Sequence, residues 1–190
     1  MAVMEPIRDK GVLRAMANYY LSQGNLRNYV LLVLGTYTAL RVSDLLGLRW
    51  SQVYDEDKRK FKTSIRLMEQ KTGKSKTIAL NNQALDALNM YLSQRKGTYL
   101  FSNHRRNERP LSRVQAWRIV RAAAQAAGAG DNIGCHSLRK TWGYHAWMEQ
   151  NISPVIIMQI FNHSSFQITK RYLGVEQDEL NRAYLSMKLF

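Results

Sequence analysis

Two arginines, two histidines, a tyrosine and three closely spaced lysines stand out from a chain of otherwise ordinary patterning. Arg41 follows an apolar run, in Thr38-Ala39-Leu40-Arg41-Val42-Ser43-Asp44-Leu45-Leu46-Gly47-Leu48-Arg49-Trp50, so its guanidinium is anchored on a rigid element. An isolated arginine there would cap carbonyls or pair with Asp44 one turn later. His136 and Arg139, in His136-Ser137-Leu138-Arg139-Lys140-Thr141, are three residues apart and share a helical face. His163, in Asn162-His163-Ser164-Ser165, and Tyr172 are separated by a capped turn and a short helix. Taken singly, the tyrosine reads as the edge of a core and each histidine as a satisfied polar group. Taken together they are parts for chemistry on an oxyanion. Guanidinium forks grip such oxygens bidentately, imidazoles move protons, and a phenol with a pKa of about 10 is a poor nucleophile until its surroundings activate it.

The elements that must position these groups are mostly helical. One helix is predicted over 11–22, ending near Gly24, and a second over 26–40, apolar nearly all round and therefore central. A short helix follows at 43–46. Over 61–67 the period changes to two, with Phe61, Thr63, Ile65 and Leu67 alternating with polar residues, and 75–80 returns after Thr72-Gly73. That is a β-hairpin with Lys71, Lys74 and Lys76 about its tip. Asn81 caps a helix to about residue 93, and Ser112 with Gln115 forms a capping box for a helix ending near Gly128 and Gly130. Ser153-Pro154 starts another, and Ser164 with Gln167 opens the helix that runs into Tyr172. The expected class is α+β, mainly helical, with one small antiparallel sheet, in a single domain over 1–190.

Composition narrows the partners. Lys plus Arg is 28 and Asp plus Glu is 14, a formal charge of +14, at 45% hydrophobic residues. A disordered basic tail would lack that apolar content, so the reading is a folded domain whose cationic surface suits a polyanion. The single cysteine, Cys135, excludes an internal disulfide framework and a multi-cysteine zinc site, and favours a reducing cytosol. No secretory signal is visible behind Glu5, Arg8, Asp9 and Lys10, and the aliphatic run 30–34 is far short of the roughly 20 residues of a membrane span.

In order, Arg41, a basic hairpin, His136-x-x-Arg139, His163 and Tyr172 resemble the catalytic signature of the tyrosine recombinases, the phage integrase family. The resemblance rests on ALRVSDLLGLRW, KTGKSKTIAL, HSLRKT and NHSSFQITKRYLGV, and extends from about residue 25 to about 176. It implies the fold of DNA breaking-rejoining enzymes and a site-specific recombinase working through a covalent 3′-phosphotyrosyl intermediate, with no metal, ATP or other cofactor. By resemblance, Arg41 and Arg139 clamp the scissile phosphate and Tyr172 attacks it. His136 handles the tyrosine proton, and His163 hydrogen-bonds a non-bridging oxygen. Lys71 matches the lysine that protonates the leaving oxygen, with Lys74 and Lys76 as rivals should the hairpin shift register. Asp44 matches an acidic position that orients Arg41. Asn162 stands where glycine is usual and tolerates a left-handed backbone; Ala39 also replaces a frequent glycine.

Around these, Arg105, Arg106 and Arg109, the lysines Lys74 and Lys76, Lys140, and the run Lys58, Arg59, Lys60 and Lys62 read as contacts to double-stranded DNA. The same residues also fit a solvated basic rim. Beyond Tyr172, Leu180, Ala183, Tyr184 and Met187 fall on one helical stripe over about 176–188. That helix either packs on its own domain or, as the resemblance implies, docks into a neighbouring protomer of a tetramer on paired DNA sites, the protein without DNA being free to be a monomer. The separate N-terminal DNA-clamping domain usual in the family is not expected here, so the chain reads as a catalytic fragment or as a naturally short enzyme. Type IB topoisomerase-like relaxation, a non-catalytic DNA-binding regulator and a metal-dependent nuclease are the competing readings. The last is disfavoured by scattered carboxylates at Asp44, Asp86, Glu108, Asp131 and Glu149.

Overall fold

A computed structural model describes residues 4–103, 106–150 and 152–187, with the side chains of 106–108 and 176 outside that description. Asp9 opens α1 (Lys10–Leu21) by accepting the Gly11 amide hydrogen, and Asn25 caps α2 (Leu26–Tyr37). As its composition predicts, α2 is buried along most of its length, through Val30, Leu31, Leu32 and Leu34. It stops before residue 40 because Ala39 takes a left-handed backbone, with φ 52°. The chain turns there into α3 (Val42–Leu46) and then α4 (Trp50–Val53).

Among the described residues, three two-stranded antiparallel sheets follow in place of the single sheet expected. β1 (Tyr54–Asp55) pairs with β2 (Lys60–Phe61), and β3 (Ser64–Met68) pairs with β4 (Ser75–Ala79). After α5 (Asn82–Leu92), β5 (Ser102–Asn103) pairs with β6 (Arg106–Pro110). The strand expected over 61–67 is thus split. Phe61 packs edge-on against Tyr54 at 5.1 Å and belongs to the first pair, while the hairpin register begins with Ser64 opposite Ala79.

Helices complete the chain: α6 (Arg113–Ala126), α7 (Cys135–Met148), α8 (Pro154–Phe161), α9 (Phe166–Leu173) and α10 (Glu176–Ser186). The Ser112–Gln115 capping box forms as expected. At α9 the cap is Ser165, not Ser164: its hydroxyl accepts the Ile168 amide hydrogen at 3.2 Å. The one-residue shift follows from the left-handed Asn162, φ 55°, which ends α8 and delays re-entry into helix.

Apolar side chains form two clusters. The larger gathers Met16, Leu31, Leu34, Trp50, Leu88 and Phe101 among others, and each fully buried side chain of this kind contributes roughly 1.5–3 kcal/mol. The smaller joins Ala39 to Ala146, Trp147, Ile157, Phe161, Leu173 and Val175. Ala39 lies at the end of α2 yet belongs to the second cluster, so the corner leading to Arg41 is where the two cores meet. Among the described residues, no helix is long and apolar enough to cross a membrane.

Candidate active site

Arg41 leaves that corner with an extended backbone, φ −68° and ψ 148°, as the residue preceding α3. Its ion pair is not with Asp44. Its NH1 faces Glu69 Oε1 at 3.0 Å instead. Asp44, expected to orient Arg41, is occupied by the hairpin: its Oδ1 accepts the Gln70 amide hydrogen at 2.9 Å. The carboxylate that holds Arg41 is therefore Glu69, a residue the sequence reading passed over. The available signal was that Glu69 is the only acid between Asp57 and Asp86, in a stretch rich in lysine and arginine.

The three hairpin lysines part company. Lys71 is exposed at the tip. Lys74 donates to Asn162 Oδ1 at 3.2 Å. Lys76 turns inward, donating to the Ile160 carbonyl at 2.7 Å with Glu69 Oε1 at 3.9 Å. Burial, together with the charges of Arg139 and Arg41, lowers the Lys76 ammonium to about 8 although Glu69 opposes the shift. In this arrangement Lys76 is the inward-facing lysine and Lys71 lies exposed on the rim.

On α7, Arg139 is 2% exposed and donates to the carbonyls of Ala39 and Phe161, the latter at 3.1 Å. Two of its five donors are thereby committed, and the guanidinium also hydrogen-bonds Tyr172. The guanidinium also sits 4.6 Å from the Phe161 ring centroid, which ties α7 to the end of α8. Lys140 corrects an expectation. It is 6% exposed, with its ammonium 5.0 Å from the Tyr172 ring centroid, so it buttresses that ring rather than presenting itself on the surface. The next position along α7 after Arg139 is turned toward α9 and the N-terminal segment, where Glu5 and Arg8 act on its charge.

Tyr172 is half-buried on α9, its hydroxyl 3.2 Å from His136 Nε2. His163 stacks edge-on to the same ring at 5.0 Å, with Nδ1 held 3.1 Å from the Thr169 hydroxyl. Burial raises the phenol above its ordinary value, outweighing the opposing charges of Arg139 and Arg41 and the Arg139 hydrogen bond. Desolvation and the charges of Arg139, Lys140, Arg41 and Lys71 hold His136 below its ordinary value. Burial, with Arg139 and Arg41, takes His163 down to about 4. The phenol is thus protonated and the imidazole beside it neutral near pH 7, a donor–acceptor pair set for proton transfer.

Arg41, Arg139, His136, His163, Tyr172 and Lys76 therefore converge, with Lys71 and Lys74 on the rim. A model of the phage integrase family matches residues 7–179. The chain belongs to that family. Among its relatives, this integrase-family chain is 36% identical over 185 residues to the "Probable integrase/recombinase YoeC" of Bacillus subtilis (strain 168), covering 97% of each chain. It spans only about half the length of several proteins named tyrosine recombinase XerD that it also matches. Its fold is shared with XerA recombinase, at a TM-score of 0.77 and 21% identity over 100% of this chain and 65% of that one. It is likewise shared with XerH bound to a palindromic difH substrate in a post-cleavage complex, at 0.74 and 16% over 96% and 53%.

Of the expected surface contacts, Arg109 is exposed on β6, Arg106 lies on β6 with its side chain outside the described residues, and Arg105 is outside them altogether. Lys58, Lys60, Lys62 and Arg66 line one open recess beside β1 and β2. Among the described residues, no three His, Cys, Asp or Glu side chains gather as a metal site would need. The α10 helix lies on its own domain through polar contacts, Trp147 Nε1 donating to Glu179 Oε1 at 2.6 Å and Arg182 NH1 to the Met148 carbonyl at 3.0 Å. Its apolar stripe is not buried by them: Leu180 is 54% exposed, Tyr184 80% and Met187 66%.

Proposed function

We infer that this chain breaks and rejoins double-stranded DNA at specific sites through a covalent 3′-phosphotyrosyl intermediate. The observation that carries the reading is the phenol of Tyr172 seated between the His136 imidazole and the Arg139 guanidinium, with Arg41 and His163 close enough to act on the same charges. In the forward step the Tyr172 oxygen attacks the scissile phosphorus and the bond from phosphorus to the 5′ oxygen breaks. His136 Nε2 accepts the phenolic proton, and Lys71 supplies a proton to the departing 5′ oxygen. Arg41, Arg139 and His163 face the non-bridging oxygens, where negative charge builds in the pentavalent transition state. The phosphotyrosyl ester conserves the energy of the broken bond, so another 5′ hydroxyl reverses the step without ATP or a divalent ion.

A net charge of +14 and the recess of Lys58, Lys60, Lys62 and Arg66 supply the contacts to backbone phosphates. The uncovered stripe of α10 fits exchange with a neighbouring protomer in a tetramer that pairs two DNA sites.

The test is capture of covalent protein–DNA adducts from a randomised pool of nicked duplexes, in the presence of a chelator. Adducts that form with the wild type and vanish in Tyr172→Phe support the reading. Binding without adducts would mark a DNA-binding regulator instead. Relaxation of supercoiled plasmid with no pairing of cut sites would mark a topoisomerase.

A further inference from the structure

Glu69 has no part in the chemistry proposed above, and its position is odd for a site meant to receive a phosphate. Its side chain is 3% exposed and lies against Arg41, which an incoming oxyanion needs, with Lys76 beside it. A carboxylate there competes with the substrate for the same donors. Its two oxygens are used differently. Oε1 faces Arg41 NH1 at 3.0 Å and Lys76 Nζ at 3.9 Å, whereas Oε2 accepts from the Thr72 hydroxyl at 2.8 Å. Glu69 also holds the turn through its backbone, accepting from Gly73 N at 2.8 Å and donating to Lys74 O at 2.9 Å.

Thr72 is the residue after Lys71. The residue before it, Gln70, is held by Asp44. Lys71 is therefore strung between two anchored neighbours, one tied to α3 and the other to the same carboxylate that occupies Arg41. In this arrangement Lys71 is exposed. The Arg41–Glu69 contact is made at a single point, NH1 to Oε1, because Oε2 is taken by Thr72. An oxyanion that offers two oxygens can displace such a one-point pair, because a guanidinium is best satisfied by parallel hydrogen bonds to two oxygens. Lys76 stands ready to keep the released carboxylate neutralised.

We propose that Glu69 is a positioning residue that exchanges Arg41 for the scissile phosphate and, through Thr72, couples that exchange to the placement of Lys71 at the leaving oxygen. With the clamp empty, Glu69 holds Arg41 and keeps the hairpin tip outward. With the clamp filled, Glu69 keeps Lys76 and Thr72 alone, and the tip it carries moves with it. The inference rests on the reading of Lys71 as proton donor to the 5′ oxygen.

The test uses the nicked duplex recovered by adduct capture, in two forms: unmodified, and with sulfur in place of the 5′ bridging oxygen at the scissile position. A thiolate leaves without being protonated, because a thiol is far more acidic than an alcohol. Single-turnover adduct formation and affinity for an uncleavable duplex are measured for the wild type, Lys71→Met, Glu69→Gln and Thr72→Val. Lys71→Met is expected to slow the oxygen substrate by about 10²–10⁴-fold, the range for a lost general acid, and to be restored on sulfur. Glu69→Gln frees Arg41, so it is expected to bind duplex several-fold more tightly while cleaving the oxygen substrate at least about tenfold more slowly. It too is restored on sulfur. Thr72→Val is expected to show the same cleavage defect and rescue without the gain in affinity.

A merely structural role for Glu69 would weaken binding and slow both substrates alike, and that result overturns the proposal. Unchanged cleavage of the oxygen substrate by Glu69→Gln overturns it as well. Should Glu69→Gln fail to fold, Thr72→Val decides: a defect that sulfur does not rescue overturns the proposal, and one that it rescues supports it. If Lys71→Met is itself not rescued by sulfur, the reading of Lys71 as proton donor fails first and takes this inference with it. Rescue of Lys71→Met without rescue of Glu69→Gln removes this inference alone.

Discussion

The Tyr172 hydroxyl lies 3.2 Å from His136 Nε2, a contact between residues 36 apart in sequence that closes α9 against the first turn of α7. Each shifts in the direction that suits the other. Burial keeps the phenol protonated and the histidine is held neutral, so the proton waits on the tyrosine with an acceptor beside it.

A pH profile of cleavage follows from that pair. His136 accepts the proton only when neutral, and its value lies below the ordinary histidine value of about 6.5. Single-turnover adduct formation is expected to fall on the acid side, with the acid limb centred below the ordinary histidine value. His136→Gln is expected to lose about 10²–10⁴-fold in rate and to lose the acid limb with it. An acid limb centred above pH 7 would contradict the assignment.

Stability has its own pH dependence, through His163. Its folded value of about 4 lies below the unfolded value of about 6.5. Between those values the unfolded chain binds a proton that the folded chain does not, so folding stability rises with pH across this window. The contribution is fully present above about 6.5 and is lost as pH falls toward 4. Thermal melts from pH 7 to 5 are expected to show Tm dropping, with a shallower slope in His163→Gln. Parallel slopes would assign the acid sensitivity elsewhere.

Gly143 sets how closely α9 can approach α7. A Cβ there would lie 2.5 Å from Leu173 Cδ2 and 2.6 Å from Phe161 Cε2 and Cζ. Both partners are fully buried, so neither can swing away. Gly143→Ala is expected to destabilise by about 1–3 kcal/mol, the usual range for an overpacked core, despite the better helix propensity of alanine. It also displaces the helix that carries Tyr172, so cleavage should fall by more than binding. A Tm equal to wild type with unchanged cleavage would show that α9 has room to spare.

Truncation after Val175 separates folding from assembly. Removing α10 deletes polar contacts to Trp147 and Met148 but little buried apolar surface, since Leu180, Tyr184 and Met187 are exposed. The truncated chain is expected to stay folded, with Tm lowered by a few degrees at most. It should lose higher-order complexes on DNA in sedimentation or mass photometry. Intact assembly without α10 would remove its exchange between protomers.

Much was legible in the sequence because it is local. The caps at Asn81 and Ser112 and the proline that opens α8 depend on neighbours a few residues away, although Ser153 makes no capping hydrogen bond there. The left-handed turns at Ala39 and Asn162 answer to positions where the resemblance implies glycine. The order of Arg41, the hairpin, His136, Arg139, His163 and Tyr172 was sufficient to indicate the family. The Ser165 cap and the split of the strand at Phe61 were missed by small margins. In both, a neighbouring turn or an aromatic contact displaced the boundary that periodicity alone would draw.

What the chain's own order could not determine is which of several like charges meet. Glu69 rather than Asp44 faces Arg41, Lys76 turns inward while Lys71 stays exposed, and Lys140 turns inward beneath Tyr172. Charged side chains of one type are interchangeable to a sequence reading. Their partners are chosen by where α3, the hairpin, α7 and α9 are packed around two apolar clusters, and that choice exists only once those clusters have formed.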